Sequence, residues 1–465
     1  MKEPEPVLAR ACLDQLPPLW PDDGLRAEIR RRRESTGACV VAFDDDPTGT
    51  QTVAGVNVLS RPRPEDLRLA LQSGDPAFYL LTNSRSLPRA DAISLVRSLT
   101  ADLAAAARQV GRPILVVSRS DSTLRGHFPA ETDALSEGLG GRHSVLLIPF
   151  FAEGGRFTID DVHWVQEGDR LVPAAQTAFA RDPVFGYQHS WLPDWVEEKT
   201  GGRVRAPDVA SLPITALRRE GPQAARRWLV DLRPGQVGVV NAAHDRDLEV
   251  LAVAVHTLGG TGFLFRSAAS WVKILAGLPD PAPVAPSELV AGSTGRGLMI
   301  VGSVVPRTDA QLAALRRIPG LGWIELTVAH VLEAGTRRPE IARVVDAVQD
   351  AWAQGLDAVV YTSRAATAPS DLDAGRRVSS ALVDVVRALP AAPRYVVAKG
   401  GITASDLATE ALGMRSARVQ GPILPGVPVW QMGTETRWPG LPLVVFPGNV
   451  GEADALARLV EGLRT

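Results

Sequence analysis

Cysteine is almost missing from this 465-residue chain, which carries only Cys12 and Cys39. Two thiols exclude a disulfide scaffold and a cysteine-built zinc site, and they fit a reducing compartment. Lysine is nearly as scarce: Lys2, Lys199, Lys273 and Lys399 are the whole set, so arginine carries the positive charge. An excess of either sign is lacking too. The formal net charge is −2, so neither nucleic acid nor an anionic membrane surface is implied as a partner. No apolar run approaches the ~20 residues that cross a bilayer. The N-terminus, with Glu3, Glu5 and Pro17-Pro18, offers no apolar stretch that could serve as a signal peptide. A Walker motif and a dinucleotide fingerprint are both absent. The nearest string, Gly292-Ser293-Thr294-Gly295-Arg296-Gly297, lacks the Lys-Ser/Thr ending. No fixed-period repeat is visible, which argues against a solenoid. A soluble cytoplasmic protein is the expectation.

What is present reads as an ordinary folded chain, with 45% hydrophobic and 22% charged residues. Its length predicts two to three domains. From Gly37 onward, short β-branched runs alternate with helical patterns: CVVAF, FYLLT, ILVVS, SVLLIPF, GQVGVVN and GFLF. That alternation predicts βα units and a mainly parallel sheet. A Pro/Gly/Ser/Ala-rich stretch over 279–297 reads as a linker. A second α/β series follows, LMIVGS, LDAVVYTS, YVVAKGG and LPLVVFPGN. The expected organisation is a leader at 1–36, a first domain at 37–278, the linker, and a second domain at 298–465. The leader carries a helix through Leu25 to Arg33 with a solvated charged face. The expected fold is two α/β domains with mainly parallel sheets facing each other across a cleft.

The strongest local feature is a buried strand running into Asp44-Asp45-Asp46-Pro47-Thr48-Gly49. Three adjacent carboxylates are costly to keep ionised unless a cation, a donor or a reaction uses them. The C-terminal end of a strand is also where α/β proteins place ligands. The alternative is a solvated turn built from turn-forming residues. Two further strands run into Asn83-Ser84-Arg85-Ser86 and Ser118-Arg119-Ser120-Asp121-Ser122-Thr123-Leu124-Arg125-Gly126-His127. Arginine forks suit carboxylate and phosphate oxygens, and Asp, Ser and Asn suit sugar hydroxyls. Taken singly, each arginine also reads as a surface ion pair. Pro149 to Arg156 continues the pattern. His163 reads first as a histidine packed beside Trp164 and second as a ligand or base.

In the second half, three strand-to-helix turns are rich in small residues: Val301-Gly302-Ser303, Ala398 to Ser405, and Phe446-Pro447-Gly448-Asn449-Val450-Gly451. Glycine lets backbone amides approach an anion, and a helix N-terminus favours negative charge. These turns are candidate phosphate cradles, though glycine is equally the ordinary residue of a tight βα turn. Lys399 stands beside one of them.

Together these strings resemble the four-carbon acid sugar kinase family from about Gly37 to the C-terminus. The blocks that carry the resemblance are Asp45 to Gly49, Thr82 to Arg85, Ser120 to Gly126, Ala398 to Thr403 and Phe446 to Gly451. The resemblance implies a sugar-acid-binding domain followed by a nucleotide-binding domain. It also implies ATP-dependent phosphorylation of threonate, erythronate or 3-oxo-tetronate. By block position, Asp45 or Asp46, Arg85, Arg119, Ser120, Asp121 and Ser122 contact the substrate. Ser303, Gly400, Gly401, Ile402, Thr403 and Gly448 contact ATP. Phosphoryl transfer is mostly positioning and charge neutralisation, with Mg2+ bridging the nucleotide phosphates. The expected roles are Arg85 and Arg119 on the substrate carboxylate, Asp45 orienting a hydroxyl and taking its proton, and Asp46 assisting or meeting the metal. No protein metal ligands are assigned. A homodimer is compatible with the size.

Three positions depart from the family pattern: Asp44 for alanine, Arg119 for lysine, and Val305 for the second hydroxyl of a Gly-Ser-x-Ser turn. Two rival readings accompany the kinase. One is a haloacid-dehalogenase-like phosphatase with Asp44 as nucleophile and Asp46 as acid. The other is a sugar-acid sensor without catalysis.

Overall fold

Cys39–Asp44 forms a strand buried along its whole length, as a continuous apolar run does between two parallel neighbours. Those neighbours are Ala77–Leu81 and Ile114–Arg119. The parallel sheet continues beyond Ile114–Arg119 through Phe263–Ser267, Ser144–Ile148, Val237–Val240 and Ala210–Leu212. In this computed structural model, residues 3–21, 24–364 and 372–464 are described. The chain divides into two compact units, Met1–Gly49 with Arg61–Asp280, and Thr50–Ser60 with Pro281–Thr465.

In the first unit, the long helix Arg89–Val110 ends at Gly111, whose φ of 72° is the left-handed cap that glycine adopts without strain. A small antiparallel sheet orders Val7–Leu8, Arg170–Pro173, Val162–Glu167 and Arg156–Ile159. The N-terminal residues are therefore woven into this unit. The helix expected over Leu25 to Arg33 runs over Leu25–Thr36 and buries Leu25, Ile29 and Arg33. Its charges are divided rather than wholly solvated. Arg26 reaches Glu249 at 2.6 Å and Arg33 donates to the Ala276 carbonyl at 3.1 Å, while Arg31 and Arg32 pair with Glu28 toward solvent.

The second unit contains a mixed sheet. Its parallel part orders Pro442–Phe446, Val396–Lys399, Leu298–Val301, Asp357–Thr362 and Leu321–Leu326. Antiparallel strands Val427–Met432, Ser416–Leu424 and Asn57–Ser60 extend it past Pro442–Phe446. The Asn57–Ser60 strand comes from inside the stretch read as the first domain. It goes with the second unit because its residues pair with Ser416–Leu424 and because Trp430 Nε1 donates to Thr50 Oγ1 at 2.9 Å. The proline-rich stretch read as a linker also packs here, with Val290 in the core and the Val284 amide bonded to the Pro422 carbonyl at 2.8 Å. No helix among the described residues is long and apolar enough to cross a membrane.

Candidate active site

Three adjacent strand ends of the first unit converge on one ionic cluster. The register sets Asp44 opposite Arg119, and Arg119 Nη1 donates to Asp44 Oδ1 at 2.8 Å and to the Asp46 carbonyl at 3.2 Å. Asp45 accepts from Arg85 Nη2 and from Ser120 Oγ, each at 2.6 Å. Asp46 accepts from the Thr48 amide at 2.8 Å and faces Arg85 Nη1 at 3.5 Å. Asp121 accepts from Arg125 Nε at 2.7 Å and lies 4.0 Å from Arg85. Gly126, at φ 121°, closes the loop over this cluster. A Cβ there would stand 2.6 Å from an Arg266 nitrogen and 2.7 Å from Ser120 Oγ, so only glycine lets the backbone pass.

The three consecutive carboxylates differ electrostatically. Burial pushes the Asp44 carboxyl up to about 7, against the pull of Arg119 and with the push of Asp45 and Asp46. Asp46 moves the other way: burial opposes ionisation, but Arg85, Arg119 and Thr48 together hold its carboxyl below the usual range. Asp121 is likewise held low, where Arg125 and Arg85 outweigh its burial. The Asp46 side chain is 20% exposed against 2% for Asp45; its Oδ1 takes the amide and the hydroxyl of Thr48, and its Oδ2 is the oxygen that faces Arg85.

Several sequence expectations change in this light. Arg119, expected on the substrate, is buried beneath the cluster and tied to Asp44. Ser122 contributes its backbone, whose carbonyl accepts from His163 Nε2 at 2.7 Å. Thr158 Oγ1 completes the histidine by donating to Nδ1 at 3.1 Å. Burial pushes His163 down to about 4, so it is a neutral packed residue that holds the Ser120–Arg125 loop. The phosphatase reading fails on Asp44. A Cβ at Gly49 would lie 2.3 Å from both Asp44 carboxylate oxygens, so that carboxylate is sealed under the turn and cannot attack a phosphorus atom.

Sequence reasoning missed a second buried layer. Arg266 Nη1 donates to Glu131 Oε2 at 2.6 Å and to Ser118 Oγ at 2.9 Å, and Ser84 Oγ donates to Glu131 Oε1. Glu131 sits in the helix Ala130–Gly138. The available signal was Arg266, a charge that follows the apolar run Phe263-Leu264-Phe265 within the strand Phe263–Ser267.

In the second unit, the three glycine-bearing turns follow neighbouring strands and meet. Ser303 Oγ bonds Thr308 Oγ1 at 2.9 Å, and Thr308 Oγ1 donates to the Gly448 carbonyl at 3.2 Å. A Cβ on Gly448 would stand 2.7 Å from Ser303 Oγ, and one on Gly302 would stand 2.3 Å from Thr403 Oγ1. Gly400, at φ 124°, faces both Thr403 and Ser303. Gly401 opens the helix Gly401–Asp406, so Ser303, Gly400, Gly401, Thr403 and Gly448 form one surface. Ile402, Val304 and Val305 expose apolar side chains on the same turns.

The Pro447–Glu452 turn has its carbonyls tied back. Lys399 Nζ donates to Pro447 O at 2.6 Å, Arg307 Nη1 to Gly451 O at 2.8 Å, and Gln311 Nε2 to the carbonyls of Val450, Gly451 and Glu452. Among the described residues, the amides of Gly448 to Gly451 have no acceptor. Successive unpaired amides of this kind make an anion-binding concavity. Lys399 is itself buried 4.0 Å from the Phe446 ring centroid. Burial, and then Arg307, pushes it down to about 7.

The described residues contain no group of three or more His, Cys, Asp or Glu side chains arranged to hold a metal ion. Asp44, Asp45 and Asp121 are each committed to arginine. The carboxylates therefore do not fit a protein-built metal centre.

Residues 40–275 match the family described as sugar-binding N-terminal domain, and residues 298–456 match the nucleotide-binding C-terminal domain. A D-threonate kinase of Bordetella bronchiseptica is 29% identical over 394 residues, 82% of this chain and 85% of its own. A 3-oxo-tetronate kinase of Burkholderia multivorans is 27% identical over 90% of this chain and 96% of its own. The crystal structure of a Salmonella typhimurium LT2 protein shares the fold with a TM-score of 0.66 at 19% identity, over 90% of this chain and 98% of that one. A sugar-binding domain that contains the Asp44-Asp45-Asp46 strand end and a nucleotide-binding domain that contains the three glycine turns thus occur in one chain, which belongs to the four-carbon acid sugar kinase family.

Proposed function

We propose that this enzyme transfers the γ-phosphate of ATP to a hydroxyl of a four-carbon sugar acid of the threonate, erythronate or 3-oxo-tetronate type. The observation that carries this reading is the division of chemistry between the units. One presents carboxylates and guanidiniums at adjacent strand ends, suited to a polyhydroxy acid. The other presents unpaired amides beside exposed apolar side chains, suited to phosphates and a base. The Gly448 to Gly451 amides take phosphate oxygens, with Ser303 and Thr403 beside them. Val304, Val305 and Ile402 offer the apolar surface, and Val305 supplies packing where relatives carry a hydroxyl. Mg2+ enters as the counter-ion of the nucleotide phosphates.

Within the acid site, Asp45 is the organiser. It fixes Arg85 and Ser120, and Arg85 in turn orders Asp46. The oxygen of Asp46 that faces Arg85 at 3.5 Å is the one open to an acceptor hydroxyl, so Asp46 takes the proton as the oxygen–phosphorus bond forms. Arg119 and Asp44 form the buried base of the site and act through Asp45 and Asp46.

The test is ADP release with ATP and Mg2+ across four-carbon sugar acids and their 3-oxo forms, against an acid-free control. Acid-dependent release is expected. Asp46→Asn should lower kcat by about 10²–10⁴ while binding acid with similar affinity, and Asp45→Asn should impair both. Acid binding without ADP release across the panel would favour the sensor, and a fully active Asp46→Asn protein would remove Asp46 as base.

A further inference from the structure

Every arginine at the centre of the acid site already holds a carboxylate. Arg85 is on Asp45, Arg119 on Asp44, Arg125 on Asp121 and Arg266 on Glu131. Arg156 differs. No hydrogen bond or ion pair joins its guanidinium to any described residue, and its Nε is buried without an acceptor. Its guanidinium lies over the Phe179 ring, 5.5 Å from Cζ to the centroid, and Arg125 faces that same ring at 5.1 Å. Two guanidiniums thus share one aromatic surface. Only Arg125 has carboxylate partners, Asp121 at 2.7 Å and Asp182 at 3.7 Å.

The backbone holds Arg156 firmly. Phe151 and Arg156 exchange both amide–carbonyl bonds, at 3.0 and 2.9 Å. Gly154 and Gly155 make this turn tight: a Cβ on Gly154 would stand 2.4 Å from the Phe151 ring, and one on Gly155 would stand 2.8 Å from Gln166. The strand that Arg156 begins then pairs Thr158 with His163, the histidine that grips the Ser122 carbonyl. Arg156 is therefore anchored to the same loop that carries Ser120 and Asp121. A half-buried guanidinium without a hydrogen-bonded or ion-paired acceptor is costly to keep. Burial lowers its pKa and the neighbouring Arg125 adds to that, while Asp121 opposes it.

We propose that Arg156 is the anchor for the carboxylate of the sugar acid, and hence the residue that selects acids over neutral polyols. The assignment rests on the sugar-acid reading of this unit. Its fork makes two parallel hydrogen bonds to the carboxylate, with Phe179 fixing the plane of the guanidinium. Arg85 and Arg119, which sequence motifs alone nominate for this task, are occupied by Asp45 and Asp44.

The test uses the full chain with ATP and two matched pairs, D-threonate with D-threitol and D-erythronate with erythritol. In each pair a hydroxymethyl group replaces the carboxylate. Arg156→Gln should raise KM for the acid that supports ADP release by about 10–100-fold, as the loss of a charge-assisted pair does. KM for ATP should stay unchanged, and the preference for the acid over its matched polyol should shrink by the same factor. Arg156→Lys, which keeps the charge and loses the fork, should fall between. An acid KM within twofold of wild type in Arg156→Gln overturns the assignment. If Arg156→Gln melts early, an unchanged acid KM in Arg156→Lys overturns it instead. If wild type releases no ADP with either acid, the kinase reading fails separately, and calorimetric binding of the same acids judges Arg156. Binding lost in Arg156→Gln upholds the anchor; binding equal to wild type, or no binding by wild type, overturns it.

Discussion

His163 shows how one side chain can serve a site without touching a ligand. It donates from Nε2 to the Ser122 carbonyl and accepts at Nδ1 from Thr158, so the neutral ring satisfies both neighbours. Burial depresses it to about 4, below the ~6.5 of an unfolded histidine. Between those values the unfolded chain binds the proton and the folded one does not. Stability is therefore fully present above about pH 6.5 and is lost as pH falls toward 4, by roughly 3 kcal/mol if the whole gap is realised. His163→Gln should flatten this acid limb in denaturant titrations at pH 4–7. An unchanged limb would show that other groups cause it.

The turn Pro447–Glu452 is shaped by its neighbours more than by its own sequence. Lys399, Thr308, Arg307 and Gln311 each take one or more of its carbonyls, which leaves the amide edge outward. Lys399 is the buried member, and its ammonium has a carbonyl and an aromatic face for company rather than a carboxylate. Methionine fills similar space without the desolvation cost of an amine. Lys399→Met should thus melt no earlier than wild type at pH 7, yet bind nucleotide about tenfold more weakly, the effect of one lost charge-assisted strap. Calorimetry with a non-hydrolysable ATP analogue checks this. Equal affinity would mean the turn keeps its shape without Lys399.

The whole chain passes between its two units three times, after Gly49, after Ser60 and after Asp280. A fragment beginning at Pro281 therefore lacks Asn57–Ser60, leaves Ser416–Leu424 as an open edge strand and strips Trp430 of Thr50. Exposed edges of this kind pair with other chains. Such a fragment should elute as aggregates in size-exclusion chromatography, and supplying residues 50–60 as a fused segment should reduce them. A monodisperse, cooperatively melting 281–465 fragment would show that the strand is dispensable.

Much of this was readable in advance for a physical reason: buried parallel strands are continuous apolar runs, and the C-terminal ends of such strands are where α/β folds place their binding sites. Asp44-Asp45-Asp46, Asn83 to Arg85, Arg119 to Asp121 and the three glycine turns were found that way. What linear order could not supply was which charges cancel. Asp44 and Arg119 are 75 residues apart, with nothing in linear order to pair them in an arginine-rich chain, and only parallel register turns them into a sealed ion pair. The same register leaves Asp46 open and commits Asp45. The segment Pro149 to Arg156 stands out in the sequence as a further polar strand end, but the lack of a partner for Arg156 emerges only once the arginines around it have found theirs. The Asn57–Ser60 strand goes with the second unit through its pairing with Ser416–Leu424, a long-range pairing that local pattern does not encode.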